Sequence, residues 1–302
     1  MYCDACIVTR LASIRFLGDG VLGDSMTRRQ WTATIVGGLG VGALSGCGRP
    51  SSLSAVAVAV ERAADDHSPH GSGAWEYRPL EPSEITKIAY HIYPDGGCMY
   101  AIVGSVIGQL AERYGEPFAS FPFEMMRYGD GGVGGYGSLC GVVNGAAALI
   151  GLFHREKGKE AREAIVTEFC SWYETTALPS FVPEKPQWAD EVAASVAGSV
   201  LCHVSVAKWQ KASGFEAYST EKKERCRRLA ADGAAKIVEL LNRRCVDPKC
   251  DFAPVRAEVK ACIDCHGPRE LGDAMGKMQC SVCHDFGGAT HPTTKSMTSI
   301  AR

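Results

Sequence analysis

The stretch "CIDCHGPRELGDAMGKMQCSVCH", residues 262 to 284, contains Cys-x-x-Cys-His twice, at Cys262-Cys265-His266 and at Cys280-Cys283-His284. The chain between and around the two motifs is polar and glycine-bearing, so it cannot bury a core of its own. Something other than polypeptide must organise it. Two thiols two apart, followed at once by an imidazole, suit covalent haem attachment. The thiols add to the two porphyrin vinyl groups and the histidine takes one axial place on the iron. A zinc ribbon would use the same cysteine spacing but gives no reason for a histidine after each second cysteine. A thioredoxin-like dithiol needs a βαβ setting, which the flanking sequence lacks. The expectation is a dihaem segment with two haem c per chain. Cys262, Cys265, Cys280 and Cys283 would form the thioethers, with His266 and His284 as proximal iron ligands.

Such attachment takes place outside the cytoplasm, and the N-terminus offers a route there. Residues 27–47, "TRRQWTATIVGGLGVGALSGC", place Arg28-Arg29 before an uncharged run rich in Gly and Ala. That is the layout of a twin-arginine export signal, which carries proteins already folded around a cytoplasmic cofactor. The run is short and glycine-rich for a stable membrane span. Leu44-Ser45-Gly46-Cys47 resembles a lipoprotein processing box, with Cys47 as the acylated residue and a lipid anchor; cleavage within the later "SAVAVAVERAA" is the competing reading. The expected location is periplasmic, either soluble or anchored to the inner membrane. Met26 is a plausible start.

Four regions follow from composition and periodicity. Residues 1–55 read as leader and export signal, and residues 56–80 as a flexible arm. Residues 81–244 read as an α-helical bundle, and residues 245–302 as an irregular dihaem segment. The fold class is mainly α. "SEITKIAYHIY" offers Ser83 as a cap. "CMYAIVGSVIGQLAERYG" is apolar on most faces, which predicts a buried helix ending at Gly115. Further helices are expected over "SLCGVVNGAAALIGLFHR" and "KEAREAIVTEFCSWYETTAL", and near 189–210 and 220–243. "GDGGVGGYG" lacks the Gly-Lys-Ser/Thr of a phosphate cradle, and its expected role is to let the chain pass close to a cofactor or a neighbouring helix. The formal net charge of −2 gives no field for nucleic acid.

Two haems need distal ligands. His291 lies on a loop seven residues after His284, while His203 and His91 lie on expected helices; these are the candidates in that order. Met275 and Met278 are methionine alternatives that would raise the potential. His67 and His70 on the arm could serve a neighbouring subunit.

Fourteen cysteines are many for 302 residues. Outside the leader and the haem motifs, Cys98, Cys140, Cys170, Cys202, Cys226, Cys245 and Cys250 remain. Cys98, Cys140, Cys202 and Cys226 fall in "GGCMYAIVGSVIGQL", "GGVGGYGSLCGVVNGAAALIGLF", "GSVLCHVSVAKW" and "KKERCRRLAADGAAKIVELL". These pieces resemble the redox-active family whose signature is a cysteine, a Gly-Cys-Gly/Ala-x-x-Gly block and two later cysteines. In "LCGVVNGA" a valine stands where that signature commonly has alanine.

With the dihaem tail and the export signal, residues 75–295 resemble the split-Soret cytochromes c of sulfate-reducing and related anaerobic bacteria. The resemblance implies an α-helical homodimer with two closely packed haems per subunit. It also implies bis-histidine ligation, one axial histidine coming from the partner subunit, and an iron–sulfur centre. Independently, four cysteines on separate apolar segments can converge as a Cys₄ site for a [2Fe–2S] cluster. Buried packing cysteines or disulfides formed after export are the alternatives. Cys245 and Cys250 suit a local disulfide or substitute ligation, and Cys170 suits packing.

The function expected is electron transfer between redox partner proteins rather than an enzymatic reaction. A multihaem reductase or peroxidase with a displaceable axial ligand is the alternative. A helical domain with a metal-stabilised tail that does not turn over is the third.

Overall fold

The structure, a computed structural model, describes residues 75–154, 158–271 and 273–284. The export signal, Cys47, His67, His70 and His291 lie outside them. The described residues form a mainly α-helical fold: α1 (Pro82–Tyr114), α2 (Gly141–Phe153), α3 (Lys159–Thr175), α4 (Cys202–Ser213), α5 (Thr220–Val246) and α6 (Ala257–His266). Its sheet is two antiparallel strands of two residues each, β1 (Ala177–Leu178) and β2 (Ser195–Val196).

Helix α1 begins with Pro82 at its first turn, where a missing N–H removes no helical bond. Its N-cap is Glu81, not Ser83; the Ser83 hydroxyl instead donates to the Glu81 carboxylate. Gly115 ends the helix with φ 69°. Between these ends α1 is broken. Gly97 adopts φ 79°, ψ −162°, and the Asp130 side chain fills the space where a Cβ would stand. The helix restarts at Cys98, which places that thiol in the first turn of the apolar half.

That apolar half packs against α2 and α5, and α3 closes over α2. Ile102, Ile107 and Leu110 from α1 meet Leu149 and Ile150 from α2, Ile165 and Phe169 from α3, and Ile237 and Leu241 from α5, all buried. Each such side chain contributes about 1.5–3 kcal/mol on burial. Gly233 sets how closely the helices approach, because an added Cβ would collide with Val142 and lie 3.1 Å from Ile102 Cδ1.

The segment between α3 and α4 departs from the expected helix near 189–210. Residues up to 201 are extended or bent, and the helix is α4. Tertiary partners take over the backbone groups that a helix would satisfy internally. Arg228 donates to the Ala189 and Asp190 carbonyls at 2.8 and 3.0 Å. Asp232 accepts from Ser180 N, Ser180 Oγ and Phe181 N at 2.7, 2.7 and 2.9 Å. Arg228 also pairs with Glu224 at 2.8 Å, both fully buried, and Tyr90 Oη donates to the same carboxylate at 2.7 Å.

The C-terminal segment is more regular than expected, since α6 carries the first Cys-x-x-Cys-His motif. Only Val259 of α6 is buried. Polar ties do the rest: Arg256 to Glu174 at 2.9 Å and Lys277 to Glu163 at 3.3 Å join this segment to α3.

Candidate functional site

Cys98, Cys140, Cys202 and Cys226 arrive from four helices and meet as two pairs. Cys98 is in hydrogen-bonding contact with Cys226, and Cys140 with Cys202. Cys98, Cys140 and Cys226 are buried and Cys202 is half-buried. Backbone pairing explains the second pair. Cys140 N donates to the Val200 carbonyl at 2.9 Å, Cys202 N to Ser138 O at 2.7 Å, and His203 N to Gly137 O at 2.9 Å. The glycine-rich loop permits this closeness, since a Cβ at Gly132 (φ 72°) would lie 2.7 Å from Cys202 Cβ.

Three of these cysteines occupy helix N-termini. Cys98 follows the Gly97 break, Cys140 is the N-cap of α2, and Cys202 is the first residue of α4. Unpaired N–H groups and the positive helix end favour thiolate there. The Val142 N–H in the first turn of α2 helps to lower Cys140.

The electrostatics separate each pair into a donor and an acceptor. The hydrogen bond from Cys98 pulls Cys226 down to about 5 against its burial, helped by Arg225 and Lys222. Cys98 is pushed up by holding that proton and by desolvation. Cys202 likewise donates to Cys140, which falls to about 7 with further help from Tyr173. Cys202 itself is pushed up. Tyr93 Oη lies 3.8 Å from Cys98 Sγ.

This donor set fits an iron–sulfur group. Soft sulfur donors, three of the four buried, approached by cations and N–H groups, are the chemistry such a group requires. Among the described residues, no three His, Cys, Asp or Glu side chains close on a single ion. The four sulfurs meet two by two, Cys98 with Cys226 and Cys140 with Cys202.

The haem motifs also meet. Cys262 on α6 and Cys280 on a 3₁₀ turn (Cys280–Val282) are neighbours, and their thiols donate to the Glu258 and Met278 carbonyls at 3.4 and 3.6 Å. Cys262, Cys265 and Cys280 are half-buried and Cys283 is exposed. Leu271 and Met275 stand exposed beside them at 66% and 98%. Reachable thiols flanked by uncovered apolar side chains fit a segment that a porphyrin would cover. His266 Nδ1 lies 2.9 Å from the Leu271 carbonyl. A donating Nδ1–H fixes the tautomer with its lone pair on Nε2, as an iron ligand needs.

The distal candidates are less committed. His91 is exposed on α1, with its carbonyl facing Arg227, and His203 is exposed at the start of α4 beside Cys202. Met278 lines a shallow cleft between α3 and the tail, with Cys170, Glu174, Val200 and Arg256. Cys245 and Cys250 are free thiols and not a disulfide.

Sequence reading missed the residues around the sulfurs. Arg225 lies in "KKERCRR", a charge run that reads as a solvated face, yet Arg225, Arg227 and Arg228 are all buried. Tyr173, Ser205 and Glu174 sit in ordinary amphipathic patterns. No local signal marks them.

The chain is similar to known proteins. Residues 102–240 match the family described as "Putative redox-active protein (C_GCAxxG_C_C)". The chain is 36% identical over 267 residues to the split-Soret cytochrome c of Desulfovibrio desulfuricans, covering 84% of this chain and 93% of that protein. It is also similar to a solved structure described as showing a novel iron centre in the split-Soret cytochrome c of that organism. There the TM-score is 0.67 at 35% identity, covering 74% of this chain and 96% of the other.

Proposed function

Because the chain belongs to the split-Soret cytochrome c family, we propose that it is an exported electron-transfer protein carrying two haem c and a binuclear iron–sulfur centre. The observation that carries this reading is the meeting of Cys98 with Cys226 and of Cys140 with Cys202, three of the four buried. Those four residues would hold a [2Fe–2S] centre. Cys262, Cys265, Cys280 and Cys283 would form the thioethers, and His266 and His284 the proximal ligands. When bound, these groups accept and release single electrons at potentials set by ligand, charge and burial.

The protein's own part is to hold the thiolates, exclude water from the bundle and keep the tail against α3. Glu174 does the last, reaching both Arg256 and the backbone N–H of Gln279, next to Cys280. A homodimer would bring a distal histidine from the partner subunit, with His291, His203 and His91 as candidates in this chain. No helix among the described residues is long and apolar enough to cross a membrane. A periplasmic setting, free or tethered through Cys47, suits thioether formation.

The experiment is a cofactor count on anaerobically purified protein: haem by pyridine haemochrome, with total iron and acid-labile sulfide. The expected result is two haems, two further irons and two sulfides per chain. Two haems without sulfide would return the four cysteines to packing or disulfides. Carbon monoxide separates transfer from catalysis: low-spin haem that ignores it supports transfer, and binding favours a reductase or peroxidase.

A further inference from the structure

Arg225 is 2% exposed, and no carboxylate among the described residues pairs with it. Its Nη1 lies 3.8 Å from Cys226 Sγ, its Nη2 donates to Ser205 Oγ at 2.7 Å, and its Nε has no hydrogen-bond acceptor. Its neighbours differ. Arg227 is bonded to the Tyr90 carbonyl and Gln187, and Arg228 to Glu224 and the Ala189 carbonyl. Those two hold the loop to α5. Arg225 holds no loop.

A guanidinium cannot shed its proton, so burying one requires an anion within reach. Around Arg225 the anions on offer are sulfurs, Cys226 first and Cys140 further off. The second route is relayed: the Ser205 and Tyr173 hydroxyls are 3.0 Å apart, and Tyr173 is hydrogen-bonded to the Cys140 sulfur. One cation therefore faces both thiol pairs, directly at Cys226 and through Ser205 and Tyr173 at Cys140. Lys222 lies one turn earlier on α5 and interacts with Cys226, Cys98 and Cys202.

We propose that Arg225 is the fixed counter-charge of the four-cysteine site and sets the potential at which that site accepts an electron. This rests on reading the four cysteines as an iron–sulfur centre. Two ferric ions, two sulfides and four thiolates sum to a double negative charge, which Arg225 and Lys222 together balance. One electron from an external mediator makes the site more negative by one, with no bond made or broken. A cation held beside the sulfurs favours that reduced state. Arg225 is a positioning residue that acts through the ligands.

The test uses full-length protein with its haems, in wild-type form and as Arg225→Gln and Arg225→Lys, each reconstituted anaerobically with ferrous iron and sulfide. Cluster potential is read by mediated titration followed by electron paramagnetic resonance. Arg225→Gln is expected to lower the reduction equilibrium constant at least tenfold, a fall of about 59 mV for one electron. Arg225→Lys should recover most of that loss. Failure of Arg225→Gln to retain iron while Arg225→Lys retains it would also support the proposal. Equal potentials in the three proteins, or loss of iron from both variants alike, would overturn it and leave Arg225 a packing residue. Wild-type protein that holds haem but never binds iron and sulfide would refute the cysteine-site reading instead.

Discussion

Glu174 Oε2 and Arg256 Nη2 lie 2.9 Å apart, with side chains 3% and 15% exposed, and this pair joins the bundle to the haem-attachment segment. Burial pushes the Glu174 carboxyl up; Arg256 and the backbone N–H groups of Gln279 and Val200 pull the other way without fully offsetting it. The second oxygen, Oε1, has no hydrogen-bond partner. Breaking such a pair from one side strands a buried charge, at about 3–5 kcal/mol. Arg256→Ala should therefore lower the unfolding free energy and strip amide protection from residues 257–284, as hydrogen exchange would report. Haem content should stay whole, because thioethers are covalent. Unchanged exchange in the tail would show that other contacts hold it.

Glu168 binds Arg243 at 2.5 Å and the Ala253 N–H at 2.8 Å, linking α3, α5 and the start of the tail. Burial raises its carboxyl, but those two partners outweigh it and hold the group below the usual carboxylate range. A depressed folded value adds stability at pH above the unfolded value, and that stability is lost as pH falls through the folded one. Glu168→Gln should cost about 0.5–1 kcal/mol near neutrality, the magnitude of a partly exposed pair. The gap from wild type should shrink as acid titrates the carboxyl. Urea melts of both proteins across that range would show it, and a constant gap would refute it.

Gly141 stands where α2 meets α1. An added Cβ would run into the Gly129 carbonyl and come within 2.8 Å of Cys98 Cβ. Overpacking of this kind typically costs about 1–3 kcal/mol. Gly141→Ala should lower the melting temperature and, by moving Cys98 and Cys140 apart, reduce iron and sulfide without touching haem. A variant with wild-type iron would show that the helices can separate at no cost to the site.

Asp232 accepts three hydrogen bonds from Ser180 and Phe181 and so anchors the chain between α3 and α4. Val200, whose carbonyl receives Cys140 N, ends that segment. Asp232→Ala removes all three bonds, and a loss of about 1.5–3 kcal/mol is expected from bonds to a charged acceptor. Chemical denaturation measures the loss, and a change under 0.5 kcal/mol would contradict the anchoring role.

Cys170 is half-buried in the cleft beside the tail, away from the two thiol pairs. Cys170→Ala should keep full iron and sulfide, whereas Cys98→Ser, Cys140→Ser, Cys202→Ser or Cys226→Ser should each lose most of both. Equal losses in all five would point to general destabilisation rather than ligation.

The two Cys-x-x-Cys-His motifs were legible because the pattern is local, two thiols and an imidazole within five residues, whatever the rest of the chain does. The helix end at Gly115 was legible for the same reason, since it acts through its own backbone, whereas the start at Pro82 was not, the N-cap being Glu81 rather than the expected Ser83. The four cysteines could be named from sequence, but their pairing could not. Cys98 reaches Cys226, and Cys140 reaches Cys202, only after α1 breaks at Gly97 and the glycine loop pairs with residues 200–203. The segment before α4 escaped sequence reading because Arg228 and Asp232, distant in the chain, satisfy its backbone. Arg225 was hidden most completely. In a charged run its position says solvent, and only the packed helices turn it inward to face sulfur. Local covalent patterns are written in the sequence; which charges are buried together depends on contacts between distant residues, and tertiary structure alone decides that.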